Sequence, residues 1–287
     1  MTASSESPTG APGPASLFEP VGSEPETWFP TELSRGPWSL DSLHGGPVAA
    51  LMTRAAQGLE SPIPTRLARI TIELFAPVPF VPLTIETSVI RPGKRVSTVE
   101  LKLKVADSAE AGDSDAGSEG QVLAVARAQR IRIEPVDFPD GASDQVPEFP
   151  DSASVITPWP GQPEFTFHAN AVEHRFTSGG FDQIGPADDW ICLLVPVVPG
   201  EEPTGWQRAA ATADFTNGLS SLAPFDGKSV FINPDLTIAL WREPEGEWLC
   251  NQAVTRTSDT GIGLSHAKLW DSSGLCGHGI QTLYLDR

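Results

Sequence analysis

The amino-acid sequence predicts an α+β protein built from two tandem copies of one unit, each a long helix wrapped by an antiparallel sheet. Two observations lead to this prediction. Each half runs in the order helix, strand, then three further strands, and the motif Thr-Ile-x-Leu opens the strand series at residues 71–74 and again at 237–240. Each half also closes on a glutamine followed by four strand-like residues, after Gln129 and after Gln281. Agreement of element order with end motifs favours a duplication over a chance likeness between strand-rich segments.

The composition fits a globular protein of about two units of ordinary size, because the chain has 287 residues with 13 Phe and 8 Trp. The formal net charge of −18 argues against binding to nucleic acid or to an anionic membrane surface. Three cysteines without CxxC spacing favour a reducing compartment over a disulfide framework or a zinc site. No apolar run approaches the roughly 20 residues that span a bilayer, and no secretory signal is recognisable. We therefore expect a cytoplasmic protein.

The first unit is expected over residues 17–134, after a small, polar, Pro/Gly-rich tail at 1–16 that cannot bury enough apolar surface to fold. Its helix follows Gly46, since Pro47 suits the first helical turn and Val48, Leu51 and Met52 recur at helical spacing. Alternating and β-branched segments then predict an antiparallel meander at residues 66–74, 83–90, 96–105 and 121–133.

A proline-rich stretch at residues 135–165 is interpreted as an extended linker between the units. The second unit then covers residues 166–287. Strands are expected at 171–176 and 190–197, a helix at 206–222, and further strands at 230–241, 247–257, 263–270 and 279–285.

Five short motifs, in order along both halves, carry a family resemblance. They are Leu-His-Gly-Gly-Pro at 43–47, Arg-Pro-Gly-Lys-Arg at 91–95, Phe-Ile-Asn-Pro-Asp-Leu-Thr at 231–237, Gly-Glu-Trp at 246–248 and Gly-Ile-Gln-Thr-Leu at 279–283. With them the chain resembles the TesB-like acyl-CoA thioesterase family over about residues 28–285. The resemblance implies a double hotdog, which is two hotdog domains fused in one chain, and hydrolysis of an acyl-CoA thioester without a metal or a cofactor. It also implies a homo-oligomer.

The resemblance further implies which side chains position the hydrolytic water. The family's helix aspartate falls on Asp214 and its last-strand glutamine on Gln281. Its strand hydroxyl falls on Asn233, so this chain departs from the family pattern at one of three positions. Asn can both donate and accept hydrogen bonds, so it can still orient a water. Thr237 is a candidate for partial substitution, since residues 233, 235 and 237 share one strand face.

Thioester hydrolysis needs an oriented water, a base and donors to the developing oxyanion. Asp214 can serve as the base if burial raises the pKa of its carboxyl. For each residue a structural role competes with the functional one: a helix-capping or solvated Asp214, a satisfied core Gln281, and an Asn233 that simply ends a strand before Pro234.

Two further groups are candidates for substrate binding. His44, Gly45 and Gly46 precede a helix whose free backbone N–H groups can receive a thioester oxygen or a phosphate, although close helix packing explains the same glycines. A second group, Arg91, Lys94 and Arg95, forms a tight basic cluster on an acidic chain. These side chains are candidate partners of the coenzyme A phosphates, with a solvated turn as the alternative.

Three functions remain open at this point. An acyl-CoA thioesterase is the leading hypothesis. A non-catalytic acyl-CoA-binding protein is the alternative, favoured by the missing hydroxyl at Asn233. A hotdog hydratase is the third, although its usual Asp and His five residues apart are not found. The sequence has no GxSxG, Walker or GxGxxG motif, which excludes hydrolase-elbow, NTPase and Rossmann sites. It leaves the acyl chain length open.

Overall fold

The computed structural model describes residues 15–22, 27–106, 120–137, 144–156, 162–225 and 228–286. Most of the predicted tail lies outside these ranges. Ser16 is fully buried, and its hydroxyl donates to the carbonyl of Phe18 at 3.0 Å. Packed structure thus includes the last residue of the stretch expected to be a tail.

The first half contains one helix and the predicted meander, preceded by a short hairpin. Its elements are β1 (Phe18–Pro20), β2 (Thr27–Pro30), a short 3-10 turn (Glu32–Ser34), α1 (Gly45–Gly58), β3 (Thr65–Leu74), β4 (Leu83–Arg91), β5 (Val96–Val105) and β6 (Val122–Arg132). Period-two alternation places Ile70 and Ile72 in the core, which is why this segment of β3 forms a one-sided strand. His44 immediately precedes α1, and its Nδ1 lies 3.0 Å from the backbone nitrogen of Gly46 in the first turn of the helix.

The second half repeats this order with two interruptions. Its elements are a π-helical turn (Phe167–Ala171), β7 (Val172–Ser178), β8 (Ala187–Leu193), α2 (Gly205–Ala213), α3 (Thr216–Leu219), β9 (Val230–Ile232), β10 (Asp235–Leu240), β11 (Trp248–Thr257), β12 (Ile262–Asp271) and β13 (Gly274–Asp286). The single helix and the single strand expected at 206–222 and 230–241 are each divided. The strand divides at Asn233-Pro234, where proline supplies no N–H to a ladder.

All strands belong to one antiparallel sheet whose order reads alike from both ends. The order is β1-β2-β4-β5-β6-β3-β10-β13-β12-β11-β8-β7, with β9 attached to β13. The two halves meet at the centre, where β3 pairs with β10 and Thr71 lies opposite Thr237. The two threonine hydroxyls are 3.1 Å apart. The pairing therefore relates the two Thr-Ile-x-Leu motifs across the centre of the sheet.

The two closing glutamines are not equivalent, contrary to expectation. Thr71 pairs with Arg127, whereas Thr237 pairs with Ile280. When the threonines are matched, Gln281 therefore corresponds to Ala128, and Gln129 falls one residue later, on the other face of its strand. Burial agrees with this register, since Gln281 and Ala128 are both fully buried.

Helices α1 and α2 pack against each other over one continuous core that both halves share. Within the proline-rich stretch, the described residues form no helix or strand, and Glu148, Pro150 and Ser154 hydrogen-bond to β7 or β8. There the indole of Trp190 donates to the carbonyl of Glu148 at 2.8 Å. Among the described residues, no helix has the length and apolarity needed to cross a membrane.

Candidate active site

A buried carboxylate lies where α2 ends. Asp214 is the C-terminal cap of this helix, and its side chain points toward the first turn of α1. The residue is 7% exposed, so its charge has little access to water. A buried carboxylate needs hydrogen-bond donors to remain ionised, and the surrounding residues supply them.

Side chains from three other segments contact this carboxylate. Asn233 donates from Nδ2 to Oδ1 at 2.9 Å, and Gln281 donates from Nε2 to the same oxygen at 3.1 Å. His44, from the other half of the chain, places Nδ1 3.0 Å from Oδ2. The structure thus brings together four of the predicted site residues. Asp214 hydrogen-bonds directly to Asn233 and Gln281, the two side chains with which it is expected to share a water.

The position of the His44 proton follows from what surrounds Nδ1. This nitrogen lies 3.0 Å from both Asp214 Oδ2 and the backbone nitrogen of Gly46. If Nδ1 were bare, it would accept from Gly46 but turn a lone pair toward a buried carboxylate. If Nδ1 carries the proton, it donates to Asp214, and the Gly46 N–H, which is also bonded to the carboxylate, is satisfied there. The second arrangement is favoured electrostatically, and it leaves the lone pair of the neutral imidazole on Nε2.

Four donors therefore converge on Asp214: His44 Nδ1, Gly46 N, Asn233 Nδ2 and Gln281 Nε2. Burial alone raises the pKa of the Asp214 carboxyl, but its hydrogen bonds and the electrostatic attraction of His44 outweigh burial and hold the pKa below its ordinary value. The expectation of a raised pKa is therefore wrong. A carboxylate offers about four lone-pair sites, so these donors leave little capacity to accept a proton from water.

A local break in the helix builds the rest of this network. In a continuous helix the N–H of Asn217 would donate to the carbonyl of Ala213, four residues earlier. That carbonyl instead accepts from the hydroxyl of Thr216 at 2.7 Å, and the Asn217 N–H donates to Gln281 Oε1 at 3.1 Å. Asn217 Nδ2 also donates to Asn233 Oδ1 at 3.4 Å. Asn217 is not among the residues that the sequence motifs predict for the site, and its one sequence signal is its place one helical turn after Asp214.

Two glycines allow the helix end to approach the carboxylate. A Cβ on Gly45 would lie 2.6 Å from Asp214 Oδ2. A Cβ on Gly46 would lie 2.3 Å from the carbonyl oxygen of Ala211, on α2. Close packing therefore explains Gly46, which touches the backbone of α2. Gly45 lies beside Asp214 and lines the cavity, and ligand access stays a prediction for this residue.

The network opens into a cavity of about 190 Å³. His44, Gly45, Asp214, Asn217 and Asn233 form its polar wall. The rest of its lining includes Trp38, Leu74, His168, Phe181, Phe225 and Phe231. A reacting group in this cavity would thus meet both the polar network and apolar side chains.

The sequence did not predict two features beside the cavity, which are the packing of the His44 ring and the burial of His168. The imidazole of His44 packs against both Phe167 and Phe215, with ring centroids 5.1 and 4.8 Å away, and those two rings also stack on each other. His168 is buried, and burial lowers its pKa to about 3, with smaller effects from the charges of His44 and His174. At neutral pH this second imidazole therefore contributes a neutral surface to the cavity.

The remaining predicted residues lie away from this cavity. Thr237 bonds to Thr71 at the centre of the sheet and does not replace a site hydroxyl. Lys94 lines a separate cavity, in the exposed β4–β5 turn that also holds Arg91 and Arg95. Across β6, this turn is level with the Thr65 end of β3, roughly 30 Å by strand rise from the Leu74 end that borders the site. The structure does not bring the basic cluster to the carboxylate.

Within the described residues, no group of three or more His, Cys, Asp or Glu side chains is arranged to hold a metal ion. The three cysteines are buried, and burial raises the pKa of each thiol. A thiolate nucleophile is accordingly disfavoured at all three positions.

Two family models match the chain in sequence. The model of the acyl-CoA thioesterase N-terminal domain matches residues 34–130, and that of the C-terminal domain matches residues 142–285. His44 and Gly45 fall inside the first match, and Asp214, Asn233 and Gln281 fall inside the second. No curated protein matches at significance.

Solved structures are similar to the chain over nearly its whole length. A candidate thioesterase II from Thermobifida fusca is 18% identical with a TM-score of 0.69, covering 95% of this chain and 96% of its own. A hot dog fold protein of unknown function from Alicyclobacillus acidocaldarius is 16% identical with a TM-score of 0.67, covering 95% and 97%. An acyl-CoA thioesterase II, TesB2, from Mycobacterium marinum is 15% identical with a TM-score of 0.63, covering 93% and 95%. At these identities the likeness concerns the fold.

Proposed function

Because the chain belongs to the acyl-CoA thioesterase family, we propose that it hydrolyses an acyl-CoA thioester to the free acid and coenzyme A. The observation that carries the proposal is the buried Asp214 carboxylate, paired with His44 at the mouth of a cavity. The scaffold proposed is a double hotdog, with units at 17–134 and 166–287 joined by the 135–165 segment. The sheet order, which reads alike from both ends, supports it.

His44 is proposed as the base that activates water. With Nδ1–H donated to Asp214, the lone pair on Nε2 can accept a proton as the water oxygen attacks the thioester carbon. The C–S bond then breaks, the carbonyl re-forms, and the imidazolium returns the proton to the leaving thiolate. Asp214 stabilises the transient imidazolium, which is the role of a buried carboxylate beside a catalytic histidine.

Asn233 and Gln281 are proposed to act through Asp214. Their amides fix the carboxylate by donating to Oδ1 at 2.9 and 3.1 Å. An amide performs this task without a hydroxyl, so the departure from the family pattern at Asn233 is compatible with activity. The backbone N–H of Gly45, in the first turn of α1, is the proposed donor to the thioester oxygen, since helix N-termini favour developing negative charge.

The test is a thiol-release assay on the purified protein with acetyl-, octanoyl- and palmitoyl-CoA. His44→Ala is expected to lower kcat by about 10²-fold or more, the usual contribution of a general base. Added imidazole should restore part of that loss, because it can occupy the vacated position, whereas a structural defect would not respond. Asp214→Asn should lower kcat by a similar factor without responding to imidazole.

The variants also distinguish His44 from Asp214 as the base. Full activity of His44→Ala alongside an inactive Asp214→Asn would return the role of base to the carboxylate. Full activity of both would overturn the proposed site.

A non-catalytic acyl-CoA-binding protein is the second candidate, favoured by the amide at Asn233 in place of the family hydroxyl. Wild-type protein that binds a non-hydrolysable thioether analogue of octanoyl-CoA but releases no thiol from any of the three thioesters would support this alternative.

A further inference from the structure

A larger cavity adjoins the one at Asp214. It measures about 600 Å³, against about 190 Å³ for the cavity at the carboxylate. Phe181 and Phe225 line both cavities and therefore stand between them. We call the larger cavity the side groove; apart from those two rings its apolar lining consists of Val155, Ile156, Phe176, Ile184, Ala223 and Pro224.

Two apolar side chains of the side groove are largely exposed. Val155 is 91% exposed and Ile184 is 62% exposed. Single exposed apolar residues are ordinary, but apolar residues that share one concave surface beside a reactive centre indicate a ligand site. The polar members of the lining are Ser154, Asp182 and Gln183. Gln183 Nε2 donates a hydrogen bond to the carbonyl of Gly179 at 3.4 Å.

One wall of the groove comes from the proline-rich segment and is fixed to the sheet. The N–H of Ser154 donates to the carbonyl of His174 at 2.7 Å, and the Ser154 hydroxyl accepts from the N–H of Phe176 at 2.9 Å. These bonds attach the wall to β7. Phe176 in turn packs on Phe181, with centroids 5.4 Å apart. The groove is therefore built from anchored backbone on one side and packed aromatic rings on the other.

The relative volumes suggest how the two cavities divide a substrate. The cavity at Asp214 is smaller than typical ligand pockets, which span about 300–1,000 Å³, and it suits a thioester group with a short acyl stem. The side groove lies within that range. It lies on the far side of two aromatic rings that also line the carboxylate cavity, within reach of an acyl chain whose thioester carbon lies near His44.

On this basis, and resting on the proposed thioesterase function, we propose that the side groove binds the distal part of an extended apolar acyl chain. The substrates are then medium- or long-chain acyl-CoAs, and Phe181 and Phe225 flank the chain where it passes from one cavity to the other.

The test compares acetyl-, octanoyl- and palmitoyl-CoA in wild type and in one groove variant. Each methylene that enters the groove should raise kcat/KM by up to about fourfold, since burying it is worth about 0.8 kcal/mol. Ile184→Asp places a charge in the groove at an exposed position, so it should fold normally and lower kcat/KM for octanoyl- and palmitoyl-CoA by about tenfold or more. Its kcat/KM for acetyl-CoA should be unchanged.

Ile262→Asp is the matched control, because Ile262 is an equally exposed isoleucine, at 66%, and lies on β12 outside the groove. If both variants hydrolyse octanoyl-CoA as the wild type does, the groove does not bind the chain, although the thioesterase function stands. If the wild type hydrolyses no thioester, the proposed function fails. In that case, binding of a decyl-CoA thioether tests whether the side groove binds the acyl chain. Weaker binding by Ile184→Asp than by Ile262→Asp supports the proposal, whereas equal binding by the two variants, or no binding, overturns it.

Discussion

At Asn233 a single amide replaces a hydroxyl without leaving a gap in the hydrogen-bond network. Its Nδ2 donates to Asp214, and its Oδ1 accepts from Asn217. A hydroxyl could provide the same donor and acceptor from one atom, whereas the longer amide separates the two functions. The residue thus links the carboxylate to the helix break that follows it.

Replacing Asn233 by Asp tests this role at constant shape. The variant would place a second carboxylate beside Asp214 and remove a donor, so it should raise the pKa of the pair. We expect kcat in the thiol-release assay to fall by about 10²-fold. Asn233→Thr, which restores the family's hydroxyl, is expected to keep activity within about tenfold. Equal activity of Asn233→Asp and wild type would show that this amide does not support the carboxylate.

His168 predicts an acid sensitivity of the fold. Burial lowers its pKa to about 3, whereas an unfolded histidine titrates near 6.5. Between these values the unfolded chain binds a proton that the folded chain does not, so the contribution of His168 is complete above about pH 6.5 and is lost progressively toward about pH 3. The expected result is that His168→Gln, which cannot titrate, reduces the loss of urea midpoint between pH 7 and pH 4. His278→Gln, at an exposed histidine, is the control and should follow the wild type.

The sequence could supply the residues of this site but not the contacts that define their roles. Asp214, Asn233 and Gln281 were found through the family resemblance. The His44–Asp214 contact joins positions 170 residues apart and depends on how α1 and α2 pack, which no local pattern encodes. The lowered pKa of Asp214 likewise required the donors to be counted, because burial by itself predicts the opposite direction.

At the scale of elements, the interruptions are where sequence and structure differ. The predicted helix at 206–222 ends at Ala213, because Thr216 and Gln281 take hydrogen bonds that a continuous helix would use. Hydrophobic periodicity cannot reveal this break, since the residues on both sides of it are buried. Strands of the meander, by contrast, were predicted to within a few residues, because each alternates apolar and polar positions.

Substitution of the two neighbouring glycines at the start of α1 should affect different properties: activity for Gly45 and thermal stability for Gly46. In Gly45→Ala the new methyl group meets the Asp214 carboxylate, so we expect a kcat loss of about tenfold or more with a modest change in melting temperature. In Gly46→Ala it meets the backbone of α2, which cannot move aside easily, so thermal stability should fall further. Thermal unfolding and thiol release on both variants measure the difference. A larger stability loss in Gly45→Ala would contradict the assignment.

At the scale of the molecule, the halves are alike in topology but not in chemistry. Where His44 faces Asp214 at one helix end, the start of α2 places Thr204 opposite Gln57 of α1, with Oγ1 and Oε1 2.9 Å apart. The register of the sheet places Ala128 where the second half has Gln281. The first half therefore lacks a carboxylate and an amide at the positions matching the site.

This asymmetry predicts one site in each chain. Isothermal titration with a non-hydrolysable thioether analogue of octanoyl-CoA should give a stoichiometry near one ligand per chain. Asp214→Arg, which reverses the charge at the proposed site, should abolish that binding event. Two equivalent binding events per chain would contradict the prediction.

The pairing of β3 with β10 and the contact of His44 with Asp214 lie along the same boundary between the halves. A chain cut within residues 135–165 would accordingly yield two fragments, one with the histidine and the other with the carboxylate. Neither fragment should release thiol alone, and activity of the mixture should rise with fragment concentration, as for any bimolecular association. The enzyme would then work as a complementation reporter, with turnover measuring how much of the central pairing has formed.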